Sequence, residues 1–424
     1  MITLADLQQA DPTQWMTAAD GWMLAAQEAT DASNDLHAQG VGPLGDHWQD
    51  AVGQAAGQRL SGQADALEAA SDIMRGVAMV LHGLTHSIEY AQSTLNRALA
   101  LAQQFNLSVD LEGAGASIPP GGADSPDNRD ALAEVNGLLV EALGEAAQAD
   151  QQVAAELAKL GNDTNVTDLG QALDQIQGEA SNVELAAYQG DIPSGDNPQL
   201  VTDWWNGLTP LQQHQFMLSE PVAIAGLPGI PDSVKAELHG TDGKYDRVAF
   251  VQYAQAHWND GHGDVSGEDN CTNFTSNALH EAGMQYKGWN TYDSSGWNQS
   301  IAGQSGWDFG LGFIAGQEHS DSWSAAQNLH DFLTGNGGQE VTQDQVKPGD
   351  IVFFQENNNQ DPSLPQGQIH HTAIVTAVTP DGDVRYTQHS DPRLNVSLDG
   401  RTEHEVRAEG QQNVLFVRPQ PNWY

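Results

Sequence analysis

The sequence predicts a multidomain chain: an N-terminal all-α hairpin or bundle, then a C-terminal α+β domain with helices packed on an antiparallel sheet. Three patterns predict it. Leu67, Ala70, Met74, Val77, Leu81, Leu84, Ile88, Ala91, Leu95 and Ala98 alternate three- and four-residue spacings, which specifies a long helix with a coiled-coil-like seam. A second run, Leu132, Val135, Leu139, Ala142, Ala146, Ala149 and Val153, can fold back on the first as its antiparallel partner. Beyond Tyr245, helix-like segments come first and strand-like segments follow.

The elements follow in order. Asp11-Pro12-Thr13 starts a helix, with the proline in its first turn. The pattern predicts that this helix runs to about Ala38 and is broken by Gly40, Gly42 and Pro43. The seam helix follows Trp48 and completes a hairpin over residues 1–112. Its many alanines allow close approach but bury little area, so a second helix or a homodimer partner must cover the seam. Residues 113–128 read as a linker, and residues 129–190 as a second helical segment packing on the first. Residues 191–243 form a Trp- and Pro-rich connector. Prolines as dense as those from Pro221 to Pro231 predict an irregular, fixed path, and Trp204 and Trp205 are expected to pack.

Residues 244–424 are the α+β part. Helices are predicted over 246–259, 271–282 and 322–333, the second stopped by Gly283. Strands are predicted over 350–355, 371–378, 384–389 and 414–418, with Asp381-Gly382 as a hairpin turn.

Composition narrows the function classes. The chain has 57 acidic and 15 basic residues, for a net charge of −42. Nucleic acids and anionic membrane surfaces need basic patches, so neither is an expected partner. No segment is long and apolar enough to span a bilayer. The N-terminus lacks a basic region followed by an apolar core, so no cleaved signal peptide is expected. Export, if it occurs, would use a route that reads folded helices.

Cys271 is the only cysteine, so it has no internal disulfide partner. It opens a predicted helix, where the dipole favours the thiolate that acts as nucleophile. Asn270 suits the N-cap of that helix. His371 begins a predicted strand and is the candidate base, and strand alternation turns His370 to the opposite face. His389, on the next strand, is the candidate to orient His371, the third role of a triad; Asp391 could serve instead. Asn270, Trp323, His370 and Asp391 are candidate substrate-cleft residues. Trp297 and Trp307 are further aromatic candidates, although each tryptophan singly is read as packing. His262, His370, His371 and His389 match no common metal spacing, and neither a metal nor another cofactor is expected. Residues 303–316 lack a phosphate-loop pattern and read as an insertion near the cleft.

Several blocks together resemble an amidase-domain family of actinobacteria and bacilli, related to NlpC-type and papain-like hydrolases. They are the segment Tyr245 to Trp258, Asn270-Cys271-Thr272-Asn273-Phe274-Thr275-Ser276, Ser322-Trp323, Gly349-Asp350-Ile351-Val352, and His371-Thr372-Ala373-Ile374-Val375. The resemblance implies a papain-like α+β domain with Cys271 as nucleophile, His371 as base and His389 at the third polar position. Where that family often has aspartate before the cysteine, this chain has Asn270. The first 110 residues resemble WXG-type helical hairpins of type VII secretion, although Trp48-Gln49-Asp50 lacks the glycine. Residues 204–231 are similar to connectors before effector domains in actinobacterial secreted proteins.

The expected function is an exported cysteine hydrolase cutting amide bonds in peptidoglycan stem peptides. It would sit in the cell envelope or outside the cell after a cytoplasmic stage, with the secretion machinery as a partner. One alternative is an effector toxin that deamidates or cleaves a protein of a rival cell and is matched by an immunity protein. Another is a catalytically silent helical secretion or binding protein.

Overall fold

The structure is a computed structural model. It describes residues 2–113, 115–162, 178–193, 197–240, 244–262, 270–288, 291, 295–299, 319–357, 364–390, 392–398 and 412–424. The chain divides into two compact units, Met1–Pro193 and Ser194–Tyr424.

The first unit is helical. Helix α1 (Leu4–Gln9) starts with a capping box in which Thr3 and Asp6 satisfy each other's backbone N–H groups. Helix α2 (Thr13–Asp35) does not break at the glycines. It passes into a π-helical turn (Leu36–Val41) and then α3 (Gly42–His47). Pro43 lies in the first turn of α3, directly after the π-helical turn. The chain instead leaves helical geometry at Trp48 (φ −136°, ψ 82°). Asp50 then caps the next helix by accepting from the N–H groups of Val52 and Gly53.

That next helix, α4 (Ala51–Gln104), is 54 residues long. It is followed by a short ribbon of β1 (Ser108–Asp110) and β2 (Gly115–Ser117), and then α5 (Pro126–Asn162). Val135, Leu139, Ala142, Ala146, Ala149 and Val153 of α5 are buried in one cluster with Leu84, Ile88, Ala91, Leu95 and Ala98 of α4. From Leu84 to Ala98 the α4 seam is thus covered within the chain. The α2–α4 contact depends on small residues and hydroxyls: Ser71 donates to the Ala26 carbonyl and Ser33 to the Ala64 carbonyl. Helix α6 (Gly178–Gly190) ends the unit. Among the described residues no helix is long and apolar enough to cross a membrane.

The second unit begins with α7 (Pro198–Gly207), α8 (Pro210–Ser219), α9 (Pro221–Gly226) and α10 (Asp232–His239). The expected irregular connector is therefore helical. Pro198, Pro210 and Pro221 each occupy the first turn of a helix, where the fixed φ favours helix rather than breaking it. Trp204 and Trp205 are buried, and Trp204 meets Phe216 edge-on at 5.2 Å.

Helices α11 (Arg247–His257) and α12 (Cys271–Glu281) follow. The helix predicted over 322–333 is interrupted at extended Ala325, giving α13 (Asp321–Ser324) and α14 (Ala326–Gly335). The sheet comprises β3 (Gln339–Val341), β4 (Ile351–Glu356), β5 (Ile369–Val378), β6 (Val384–Gln388), β7 (Arg393–Ser397) and β8 (Gln412–Arg418). Their order is β3-β8-β4-β5-β6-β7, antiparallel throughout. The edge strands β3 and β7 lack a clear alternating apolar pattern, and the sequence does not predict them.

The two sheet faces feed different clusters. Ile351, Phe353, Ile369, Ile374 and Val417 pack with Phe274, Leu279, Trp323 and Leu329 of the helices. Val352, Phe354, Ala373, Val375, Tyr386 and Phe416 pack with one another on the other face, where Leu218 of α8 joins them. Burying one such aliphatic or aromatic side chain is worth about 1.5–3 kcal/mol, so the sheet is held from both sides.

Candidate active site

Cys271 is the first residue of α12 and is 5% exposed. Its neighbour Phe274 is held in the helix–sheet core by Tyr253 and His389, and the Asn270 carbonyl accepts from the Phe274 N–H at 2.8 Å. The expected side-chain cap does not form. Asn270 has φ −96° and ψ 7° and makes no side-chain cap hydrogen bond. Its Oδ1 instead accepts from Asn273 Nδ2 at 3.1 Å, and Asn273 Oδ1 accepts from Trp323 Nε1 at 2.9 Å. Asn270 thereby braces the start of the helix against the core through amides, a task an aspartate carboxylate shares only as an acceptor.

His371 of β5 is half-buried and interacts with the Cys271 thiol. Burial of Cys271 pushes its pKa up. The imidazole charge and hydrogen bond of His371, the Thr272 hydroxyl and the Thr372 backbone N–H oppose this, and the net effect lies below the ordinary value of 9.0. Thr272 Oγ1 is 3.6 Å from the sulfur. Relative to a free thiol, Cys271 at this helix start is thus shifted toward the thiolate.

The partner that orients His371 is Gln388, not His389. Gln388 Oε1 lies 3.1 Å from His371 Nε2, and Gln388 Nε2 donates to the Ser390 carbonyl at 3.0 Å. The second bond sets the amide so that its oxygen faces the imidazole. Nε2 then carries the proton, and Nδ1 is the nitrogen left for the thiol.

The reason is a single β-bulge. Near the hairpin, Val378 pairs with Val384 and Ala377 with Arg385. Continued without interruption, that register would put His389 on the His371 face. The register shifts between Val375 and Ala377, so that Val375 pairs with Tyr386 and Ile374 with Thr387. Since side chains alternate, His371, Val375, Tyr386 and Gln388 share one face and His389 falls on the other. There His389 Nδ1 lies 2.8 Å from the Trp258 carbonyl, and its ring stacks on Phe274 at 5.2 Å.

The remaining candidates are dispersed. His370 Nε2 meets Gln412 Oε1 at 2.7 Å, and a second register shift between Phe354 and Gln355 separates it from His371. Trp323 is fully buried and packs on Trp297, also fully buried, at 4.6 Å between centroids. Neither ring forms a cleft wall. Asp391, Trp307 and residues 303–316 lie outside the described residues. A thiolate and an imidazole are also metal ligands, but among the described residues no further histidine or carboxylate joins Cys271 and His371 in a ligand cluster. The sequence reading missed Gln388; strand alternation restricted the choice to 388 or 389, and only the bulge decides between them.

Residues 244–410 match a family model described as "Putative amidase domain". The chain is also 29% identical over 147 residues to "Uncharacterized protein YhbB" of Bacillus subtilis (strain 168), a stretch covering 33% of this chain and 40% of that protein. The chain thus spans about two fifths of the length of this relative. No solved structure matches it. The matched segment contains Cys271, His371, Gln388 and His389. The C-terminal unit carries an amidase-like domain, and that family description points to hydrolysis of amide bonds.

Proposed function

We propose that the second unit is a cysteine hydrolase that cuts an amide bond in cell-wall peptidoglycan peptides, with Cys271 as nucleophile and His371 as base and acid. The observation that carries this reading is the Cys271–His371 contact with Gln388 behind the imidazole. The thiolate attacks the amide carbonyl carbon and the imidazolium protonates the departing amine, leaving a thioester on Cys271. His371 then takes a proton from water, the hydroxide attacks the thioester, and the acid product leaves as the thiolate re-forms. The backbone N–H of Cys271, at the positive end of α12, is the first donor for the oxyanion. A neutral Gln388 fixes the imidazole without adding charge. Because Gln388 is 3% exposed, it acts through His371 and is a positioning residue. Export through the helical first unit, for which it resembles a secretion module, belongs to the same proposal.

The test is incubation of the full chain and of Cys271→Ala with purified peptidoglycan, read by mass spectrometry. New amide-cleavage fragments from the parent, lost by a factor of about 10³ or more in the variant, are expected. Fragments of equal yield from both would reject Cys271 as nucleophile. Fragments from neither would reject the wall substrate and direct the search to a protein amide.

A further inference from the structure

We propose that the helical first unit docks a basic amphipathic helix of a partner protein in a groove between α2 and α4. The groove is open to solvent, has a volume of about 470 Å³ and is lined by Ala32, Asp35, Leu36, Gln39, Gly40 and Leu67. Ala32, Leu36 and Gly40 succeed one another every four residues from the end of α2 into the π-helical turn, and Leu67 lines the groove from α4. Leu36 and Leu67 are half-buried, so part of each apolar side chain is presented to an occupant.

The backbone explains why the groove is there. Ser71 and Ser33 donate to carbonyls across the α2–α4 contact, which holds the two helices close. The turn Leu36–Val41 then closes its hydrogen bonds one residue later than an α-helix does, and this widens the chain path beside α4. Gly40 keeps the end of the groove clear, since a Cβ there would stand 3.2 Å from Leu60 Cδ1. The floor is therefore small or aliphatic, and its shape is fixed by two helices that pack on each other.

Charge complementarity selects the occupant. Asp35 borders the apolar floor, and Asp31 and Glu28 precede it by four and seven residues, so the three carboxylates form one row along the α2 edge. All three are exposed, and none forms an ion pair among the described residues. The Gln39 amide donates to Asp35 Oδ1 at 2.9 Å, which steadies that carboxylate at the edge and leaves Oδ2 for a cation. From Thr13 to Met74 the only lysine or arginine is Arg59, so the hairpin itself offers little to neutralise the row. A helix with an apolar stripe, and with lysine or arginine beside it at i, i+4 and i+7, lays the stripe on Ala32, Leu36 and Leu67 and sets its cations against the row. A second copy of this chain would bring the same acidic edge and is disfavoured by like charge.

The experiment titrates the full-length chain, by fluorescence anisotropy in about 0.15 M salt, with labelled peptides of about fourteen residues. One is a Leu/Lys peptide patterned as an amphipathic helix, one is a shuffled isomer of the same composition, and one has glutamate in place of lysine. The patterned peptide should bind with Kd about 10 µM or tighter and at least about tenfold more tightly than the shuffled isomer, and the glutamate analogue should not bind. Ala32→Arg should weaken the patterned peptide about tenfold or more, and so should the triple variant Glu28→Gln, Asp31→Asn, Asp35→Asn. Removing as many charges from α5, with Asp130→Asn, Glu134→Gln and Asp150→Asn, should leave its affinity within about twofold. Equal binding of the patterned and shuffled peptides, no binding of the patterned peptide at about 1 mM, an unweakened α2 triple variant, or equal weakening by the two triple variants would overturn the proposal. Sedimentation showing a homodimer that Ala32→Arg dissociates would also overturn it and assign the groove to a second copy. Every substituted position is exposed, so unchanged melting temperatures are expected; should Ala32→Arg melt lower, the two triple variants decide.

Discussion

At the scale of single residues, the site is a balance of burial against three polar neighbours. Burial of Cys271 disfavours the thiolate, and His371, Thr272 and Thr372 together outweigh it. Iodoacetamide labelling of Cys271 should therefore titrate with a midpoint below 9.0, the ordinary value. In His371→Ala only the Thr272 and Thr372 contacts oppose burial, so the midpoint should rise and labelling at pH 7 should slow about tenfold or more. An unchanged midpoint in that variant would mean that the imidazole does not act on the sulfur. Positions 388 and 389 give a second residue-scale prediction. Gln388→Ala should lower kcat about 10- to 100-fold with little change in KM, because it frees the imidazole to rotate. His389→Ala should mainly lower the melting temperature, because it removes a ring stacked on Phe274 and a bond to the Trp258 carbonyl. The reverse pattern would return the orienting role to His389.

At the scale of elements, α4, α5 and α6 close on a group of buried acids. Burial, with Asp191 and Glu141 nearby, pushes the Glu145 pKa from 4.5 to about 9, and Glu145 Oε2 has no hydrogen-bond partner. Burial also raises Asp191 well above its ordinary range and lowers His86, 3.3 Å away, to about 3. Both partners of that contact are thus favoured in neutral form. A folded-state pKa above the unfolded value means that the fold binds the extra proton. The Glu145 contribution is complete below pH about 4.5 and is lost progressively up to pH about 9. His86 acts in the opposite sense, since the unfolded chain gains its proton as pH falls below 6.5. Glu145→Gln should therefore stabilise the first unit by about 1 kcal/mol or more at pH 9 and by almost nothing at pH 4. Urea melts at the two pH values would measure it, and equal effects at both would show that Glu145 is not protonated in the fold.

At the scale of the whole molecule, the residues expected to be a connector are part of the second compact unit. Leu218 packs on the sheet face that contains Phe354 and Tyr386, and Leu238 is buried. A fragment of residues 194–424 should fold cooperatively, and one of residues 244–424 should be weaker by at least about 2 kcal/mol, the worth of one or two buried aliphatic side chains. Equal melting temperatures would show that α7 to α10 are accessory.

Much of this protein was legible in the sequence because its signals are local and periodic. The seam residues Leu84 to Ala98 and the run Val135 to Val153 repeat often enough to define a core on their own. Cys271 before an apolar helical stripe and His371 before alternating apolar residues were likewise readable. Signals that depend on a single backbone state were not. Pro221 looked like a breaker because a proline reads the same at the start of a helix as in its middle. Trp323 looked available to a substrate because composition does not say which aromatic rings are buried together. The third group at the site depended on least of all, one extra residue between Val375 and Ala377. The sequence by itself determined the two architectures and the thiol–imidazole pair. Only the tertiary structure decided that Gln388 rather than His389 stands behind the imidazole, because a β-bulge reverses the facing of every residue beyond it while leaving the sequence pattern unchanged.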